Sequence, residues 1–213
     1  MQPIYRSKQL DAADDNGISL SQTPLAGGNL TITGALATGG VATLDTQRRV
    51  LFTFAADESA RTFVVYGTVE GGVAIQETVA GDAATAVTTQ DFLTVTRISI
   101  DAGSAGAIIV GTNGVGSTPW QIINWHISPQ NFGMIGLVDG TVNYTFQYTM
   151  EDPSGTYPNP DGSFPTAFDI SALASKAVDT ASSWTTPIAA WRLQVNSGTG
   201  TAQAIVLQAG IAG

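Results

Sequence analysis

The sequence predicts an all-β protein in which two tandem β-sandwich or jelly-roll-like domains follow an extended N-terminal arm. Three observations predict it. Short alternating apolar segments recur along the chain with glycine-rich punctuation between them, the period-2 pattern of half-buried strands. Two stretches about ninety-five residues apart, Arg97–Val110 and Arg192–Leu207, share one design: an arginine opens an alternating strand, a glycine follows six positions on in a small-residue turn, and a second apolar strand closes the unit. Each reads as a hairpin, and the repeat suggests two related domains. Finally, 213 residues suit either one large β-domain or two of about 100 residues.

Residues 1–26 mix polar residues with Asp11, Asp14, Asp15, Asn16 and Gly17 and show no sustained period, so they read as an arm. The first domain, 27–114, holds seven candidate strands: Asn29–Thr33, Val41–Leu44, Arg49–Ala55, Thr62–Val69, Val73–Val79, Phe92–Ile100 and Ala107–Gly111. Gly27-Gly28, Gly39-Gly40, Gly71-Gly72, Gly81-Asp82 and Asn113-Gly114 supply the turns between them. Gly111–Pro119, dense in glycine and proline, reads as the linker. The second domain, 115–213, offers strands near Ile122–Ile127, Met134–Val138, Asn143–Met150, Trp191–Val195 and Ala202–Leu207. It also carries a long insertion at 151–187, rich in Pro, Gly, Asp and aromatics, of the kind that makes contacts. Asp169–Val178 within it fits a short helix capped by Asp169.

Composition restricts function. Charged residues make up 12% of the chain, about half the usual 25%, so much of the surface is Thr, Ser, Gln, Asn, Gly and Ala. Such a surface meets another protein without stripping full charges of water. A net charge of −9 with eight basic residues argues against nucleic-acid binding, which rests on phosphate neutralisation, and against a polybasic membrane patch. Zero cysteines exclude disulfides, zinc–thiolate sites and thiol catalysis. Met1–Leu10 lacks the roughly 7–15-residue apolar core of a secretion signal, and no apolar run reaches the about 18 residues of a membrane span. The expectation is a soluble protein made in a cytoplasm.

No candidate chemistry outweighs its plainer explanation. His126, the only histidine, stands in the alternating Trp125-His126-Ile127, with no cysteine, carboxylate set or nucleophile elbow to join it. Asp11–Gly17 superficially resembles a calcium loop but has Gln22 where an EF-hand loop needs its closing glutamate. Gly111–Gly116 lacks the lysine and following helix of a phosphate cradle. Glu70, Glu77, Asp82, Glu151 and Asp152 offer the carboxylate pairs that any acidic β-protein offers. No catalytic, metal or cofactor-binding residue is therefore expected, and the chain reads as a non-enzyme. The aromatics stand out instead. Tyr157, Phe164 and Phe168 fall in the polar insertion, with Trp184 near its end, and these four are the candidate interface for a protein partner or, by ring stacking, a glycan.

Thr62–Thr68, Gly72–Val79 and Phe92–Ile98 in the first half, with Tyr144–Tyr148, Glu151-Asp-Pro153 and Trp191–Gly200 in the second, resemble β-rich virion proteins of tailed bacteriophages. The resemblance spans most of residues 29–208 and carries no catalytic residues. It implies a structural protein of the virion, made in the host cytoplasm. The form expected is a capsid decoration or cement protein contacting the major capsid protein, self-associated as a dimer or trimer. The alternatives are a tail or head–tail accessory protein, or a carbohydrate-binding, host-adhesion module. An N-terminal arm able to add to a neighbour's sheet edge fits the same picture.

Overall fold

The computed structural model describes residues 3–9, 12–153 and 165–212. Tyr157 and Phe164 lie outside the described residues. The chain is all-β. In order come β1 (Pro3–Gln9), β2 (Ser19–Gln22), β3 (Gly28–Asn29), β4 (Ala37–Thr38), β5 (Val41–Phe54), β6 (Thr62–Thr68), β7 (Ala74–Ala80), β8 (Thr85–Val87), β9 (Phe92–Ile100) and β10 (Ile108–Ser117). Then follow β11 (Gln121–Ile122), β12 (Ile127–Asp139), β13 (Val142–Thr149), β14 (Phe168–Asp169), a 3-10 turn at Ser171–Leu173, β15 (Thr180–Trp184), β16 (Ala190–Gly198) and β17 (Thr201–Ala212). Two compact units divide the chain: one is Ala12–Asn113, the other joins Met1–Asp11 to Gly114–Gly213.

In the Ala12–Asn113 unit, β9 lies between β5 and β6, and β7 continues the sheet beyond β6, all antiparallel. The alternating pattern that predicts these strands also fills the core. Phe52, Phe63, Val65, Val95, Ile98 and Val110 are fully buried, and Phe52, Phe54 and Phe63 form a ring cluster with centroids 4.9–6.2 Å apart. The expected strands Val41–Leu44 and Arg49–Ala55 are one strand, β5. The sequence separates the two at Asp45–Arg48, but the strand passes through with a register shift between Thr43 and Arg48. Its polar groups find partners: Arg48, buried to 2% exposure, donates to Asp45 Oδ1 at 3.1 Å and to the Asn113 carbonyl at 2.7 Å, and Gln47 Oε1 accepts from Glu70 N.

The other unit is built from two sheets. One runs β1-β17-β12-β15, and the other includes β14-β13-β16 with the end of β10. Ala202, Ala204, Val206, Phe132 and Met134 from the first face Val142, Tyr144, Phe146, Trp191, Leu193 and Val195 from the second in one buried cluster, consistent with a β-sandwich. Three sequence expectations give way here. Ile122–Ile127 is no strand, because Asn124 Oδ1 accepts from His126 N and turns the chain at Trp125-His126. The helix expected at Asp169–Val178 is a single 3-10 turn with no side-chain cap, Asp169 Oδ1 accepting instead from Gln147 Nε2 at 2.8 Å. Gly111–Pro119, read as a linker, is mostly strand, since β10 extends to Ser117.

The two matching stretches do not form hairpins. β9 pairs with β5, β6 and β3 whereas β10 pairs with β2, and β16 and β17 belong to different sheets. The turns were legible; the destinations of the strands were not. At Gly198-Thr199-Gly200 the chain crosses from one sheet to the other beside the equivalent crossing at Asp139–Val142, Thr199 N and Gly200 N both donating to the Thr141 carbonyl. Gly198 has φ +111°, and a Cβ there would strike Thr141 O, so only glycine serves. The arginines do have a shared role: Arg97 lies 3.6 Å from the Tyr66 ring centroid and Arg192 4.8 Å from that of Trp120, each holding a ring by cation–π attraction.

Candidate functional site

Alternation along β13 sends Tyr144, Phe146 and then Tyr148 toward the interior of the Gly114–Gly213 unit. The aromatics form a column from core to surface. Tyr144 meets Phe146 edge-on at 6.1 Å, and Phe146 stacks on the fully buried Trp191 at 5.8 Å. Farther out, Tyr148 stacks on Phe168 at 5.6 Å and contacts Trp184 at 5.3 Å. Register explains the assembly. Tyr148 pairs with Phe168 across β13 and β14, and Trp184 stands opposite the buried Phe132 across β15 and β12. Phe168 remains 47% exposed. The Trp184 indole N–H is buried with no acceptor among the described residues, an unusual state for a tryptophan donor.

Beyond Tyr148 the same strand leads to Met150, which is 60% exposed and lines an open bowl of about 470 Å³. The other walls are Trp125, Gln130, Asp152, Pro187, Ile188 and Ala189. Trp125 is held in place: its Nε1–H donates to the Ala189 carbonyl at 3.0 Å while the ring stays 48% exposed. Gln130 Oε1 accepts from Ile188 N at 3.3 Å, and the Asn124 backbone exchanges two hydrogen bonds with the Gln208 side chain, pinning the turn that carries Trp125. The bowl is thus preorganised, apolar on its walls, with one amide and one carboxylate to orient an occupant, and of a size that accepts a large side chain or a sugar ring.

Of the four residues the sequence marks, the structure brings Phe168 and Trp184 into contact with the same residue, Tyr148. Tyr148, Trp125, Met150 and Gln130 were not singled out from sequence as site residues. One signal pointed to the bowl all the same: Asp152 and Pro187, at the two ends of the 151–187 insertion, both line it.

Titratable groups do not gather here. Among the described residues, no group of three or more His, Cys, Asp or Glu could hold a metal ion. His126 is exposed on the turn beside Trp125, and Asp14, in the acidic segment, is occupied with its own turn, Oδ1 accepting from Asn16 N. No described helix is long and apolar enough to cross a membrane. The arrangement can bind through burial, stacking and a few hydrogen bonds. No family model matches the chain, and no curated protein matches it either.

Proposed function

We propose that this protein is a non-enzymatic structural component of a tailed-phage virion, a capsid decoration or cement protein that grips a neighbouring virion subunit. The single observation that carries the proposal is the rigid apolar bowl of Trp125, Met150, Pro187 and Ile188, with the Tyr148–Phe168–Trp184 ledge two residues away along β13. Trp125, half-exposed and fixed by its hydrogen bond to the Ala189 carbonyl, binds with little loss of side-chain entropy, the character of an interface hot spot. The low charge supports the same reading, because little desolvation opposes contact.

The test is to isolate intact particles and measure the copy number of this chain. One copy per shell subunit or per lattice position supports decoration. A copy number equal to a single ring moves the protein to the tail or the head–tail junction, and absence from the particle refutes a virion role. Trp125, Asp152 and Gln130 in one bowl also favour a second reading, a glycan-binding adhesion module, in which the indole stacks on a sugar ring and the amide and carboxylate bind its hydroxyls. A glycan array with no binding removes that reading.

A further inference from the structure

We propose that the β17 edge at Thr201–Leu207 is an acceptor for β1 of a second copy of this chain, so that copies associate by exchanging their first strands. The inference stands on strand pairing alone and does not depend on a virion role. β1 pairs antiparallel with β17 over seven consecutive residues, from Pro3↔Leu207 to Gln9↔Thr201, and among the described residues β17 is its only strand partner. On its other side β17 pairs with β12. β17 is therefore an interior strand over Thr201–Leu207 only because β1 covers it.

That cover is needed. From Thr201 to Ala212 the strand has no proline and no charged residue, and it includes the run Ala204-Ile-Val-Leu207. Uncovered edges in natural sheets carry lysine, proline or bulges, because a bare row of N–H and C=O groups is a template for any strand that can reach it. β1 supplies what β17 lacks: Pro3, Arg6 and Lys8 stand on the strand that forms the outer edge. It also brings Arg6 and Lys8, two of the chain's eight basic residues, to the Gly114–Gly213 unit, in which acidic residues outnumber basic ones.

Chain order makes exchange inexpensive. β1 completes the unit of Gly114–Gly213, yet all of Ala12–Asn113, a compact unit in itself, lies between them in the chain. Releasing β1 leaves the β12–β17 and β13–β16 pairings in place. It uncovers one edge, which the β1 of another copy covers in the same register with the same backbone hydrogen bonds. Domain swapping of this kind costs little because it replaces native contacts with identical ones. Reciprocal exchange yields closed dimers, and sequential exchange yields open chains.

The absence of cysteine from the sequence makes the test clean. Ser7 and Gln203 are directly paired, which places their Cβ atoms about 4.5–5.5 Å apart, close enough for a disulfide after small adjustment. Full-length chains carrying only Ser7→Cys are mixed with full-length chains carrying only Gln203→Cys, over a concentration series and after joint unfolding and refolding, and then oxidised. A chain carrying both substitutions reports the pairing itself. The expected result is a mixed disulfide between position 7 of one chain and position 203 of another, joining two 22.0 kDa chains, identified by peptide mass, in a yield that rises with concentration. Closure of the double variant within single chains, with no mixed disulfide at any concentration or after refolding, overturns the proposal. Failure of the double variant to close in any form overturns the pairing beneath it.

Discussion

Gly136→Ala adds one methyl group to a place with no room for it. Gly136 lies on β12, buried, between Ala204 of β17 and Thr180 of β15. A Cβ there would overlap Oη, Cζ and Cε2 of Tyr144, whose side chain is fully buried and whose hydroxyl donates to the carbonyls of Gly136 and Val178 at 3.3 Å each. The ring cannot simply retreat, because Phe146 packs against it. Overpacking of this kind costs about 1–3 kcal/mol, and overlap with two ring atoms and the hydroxyl puts this site at the upper end. Gly133→Ala is the internal control: it lies on the same strand, exposed, with open space where its Cβ would go. Replacing that glycine stiffens the unfolded chain and is expected to be neutral or to stabilise by up to about 1 kcal/mol. Urea unfolding followed by tryptophan fluorescence is the assay, since all four tryptophans, Trp120, Trp125, Trp184 and Trp191, lie in the Gly114–Gly213 unit. In the double variant Gly136→Ala/Tyr144→Leu the two losses should fall short of their sum by about 0.5–3 kcal/mol, because the smaller side chain makes room for the methyl. A Gly136→Ala protein as stable as the parent, or equal losses at both glycines, would refute the packing argument.

Burial pushes the Tyr144 phenol above its ordinary value near 10, with the Asp179 carboxylate adding to the rise and hydrogen bonding to Thr180 opposing it. Its folded-state pKa exceeds the unfolded one, so its contribution is complete below about pH 10 and is lost as pH rises through the folded value. Tyr144→Phe should flatten the alkaline fall in stability; an unchanged slope rejects Tyr144 as its source. In the other unit, Arg48→Ala removes a buried cation from Asp45 and the Asn113 carbonyl and should destabilise by about 3 kcal/mol, read by amide hydrogen exchange across β5 and β9, with Arg48→Met costing less. Equal losses for the two variants would show that packing of the side-chain stem plays no part, and no loss for Arg48→Met would show that the charge plays none. On the proposed virion role, Trp125→Ala and Met150→Ala should each weaken attachment to the particle about tenfold or more, while fluorescence-monitored stability changes by less than about 1 kcal/mol. Full attachment by both variants places the interface elsewhere.

The sequence by itself determined the strands whose signals are local. Alternation in Thr62–Val69, Phe92–Ile100 and Asn143–Met150 is a property of consecutive residues, and those strands lie within a residue or two of their expected ends. Glycine at 103 and 198 marked turns for the same reason: backbone conformation is chosen on the spot. The insertion's aromatics were visible too, and two of them, Phe168 and Trp184, do meet through Tyr148. Tertiary structure alone decided where each strand went after its turn. Nothing local in Arg192–Leu207 distinguishes a return to the same sheet from a crossing to the opposite one, because that choice is made by burial against residues far away in the chain. The same holds for β1, whose partner begins almost two hundred residues downstream at Thr201. It holds for Asp45–Arg48, where two expected strands part in sequence and where Asp45, Asn113 and Glu70 supply the partners that let one strand pass through. The bowl was beyond local reading because Trp125, Met150 and Pro187 become neighbours only when the two sheets of the sandwich close.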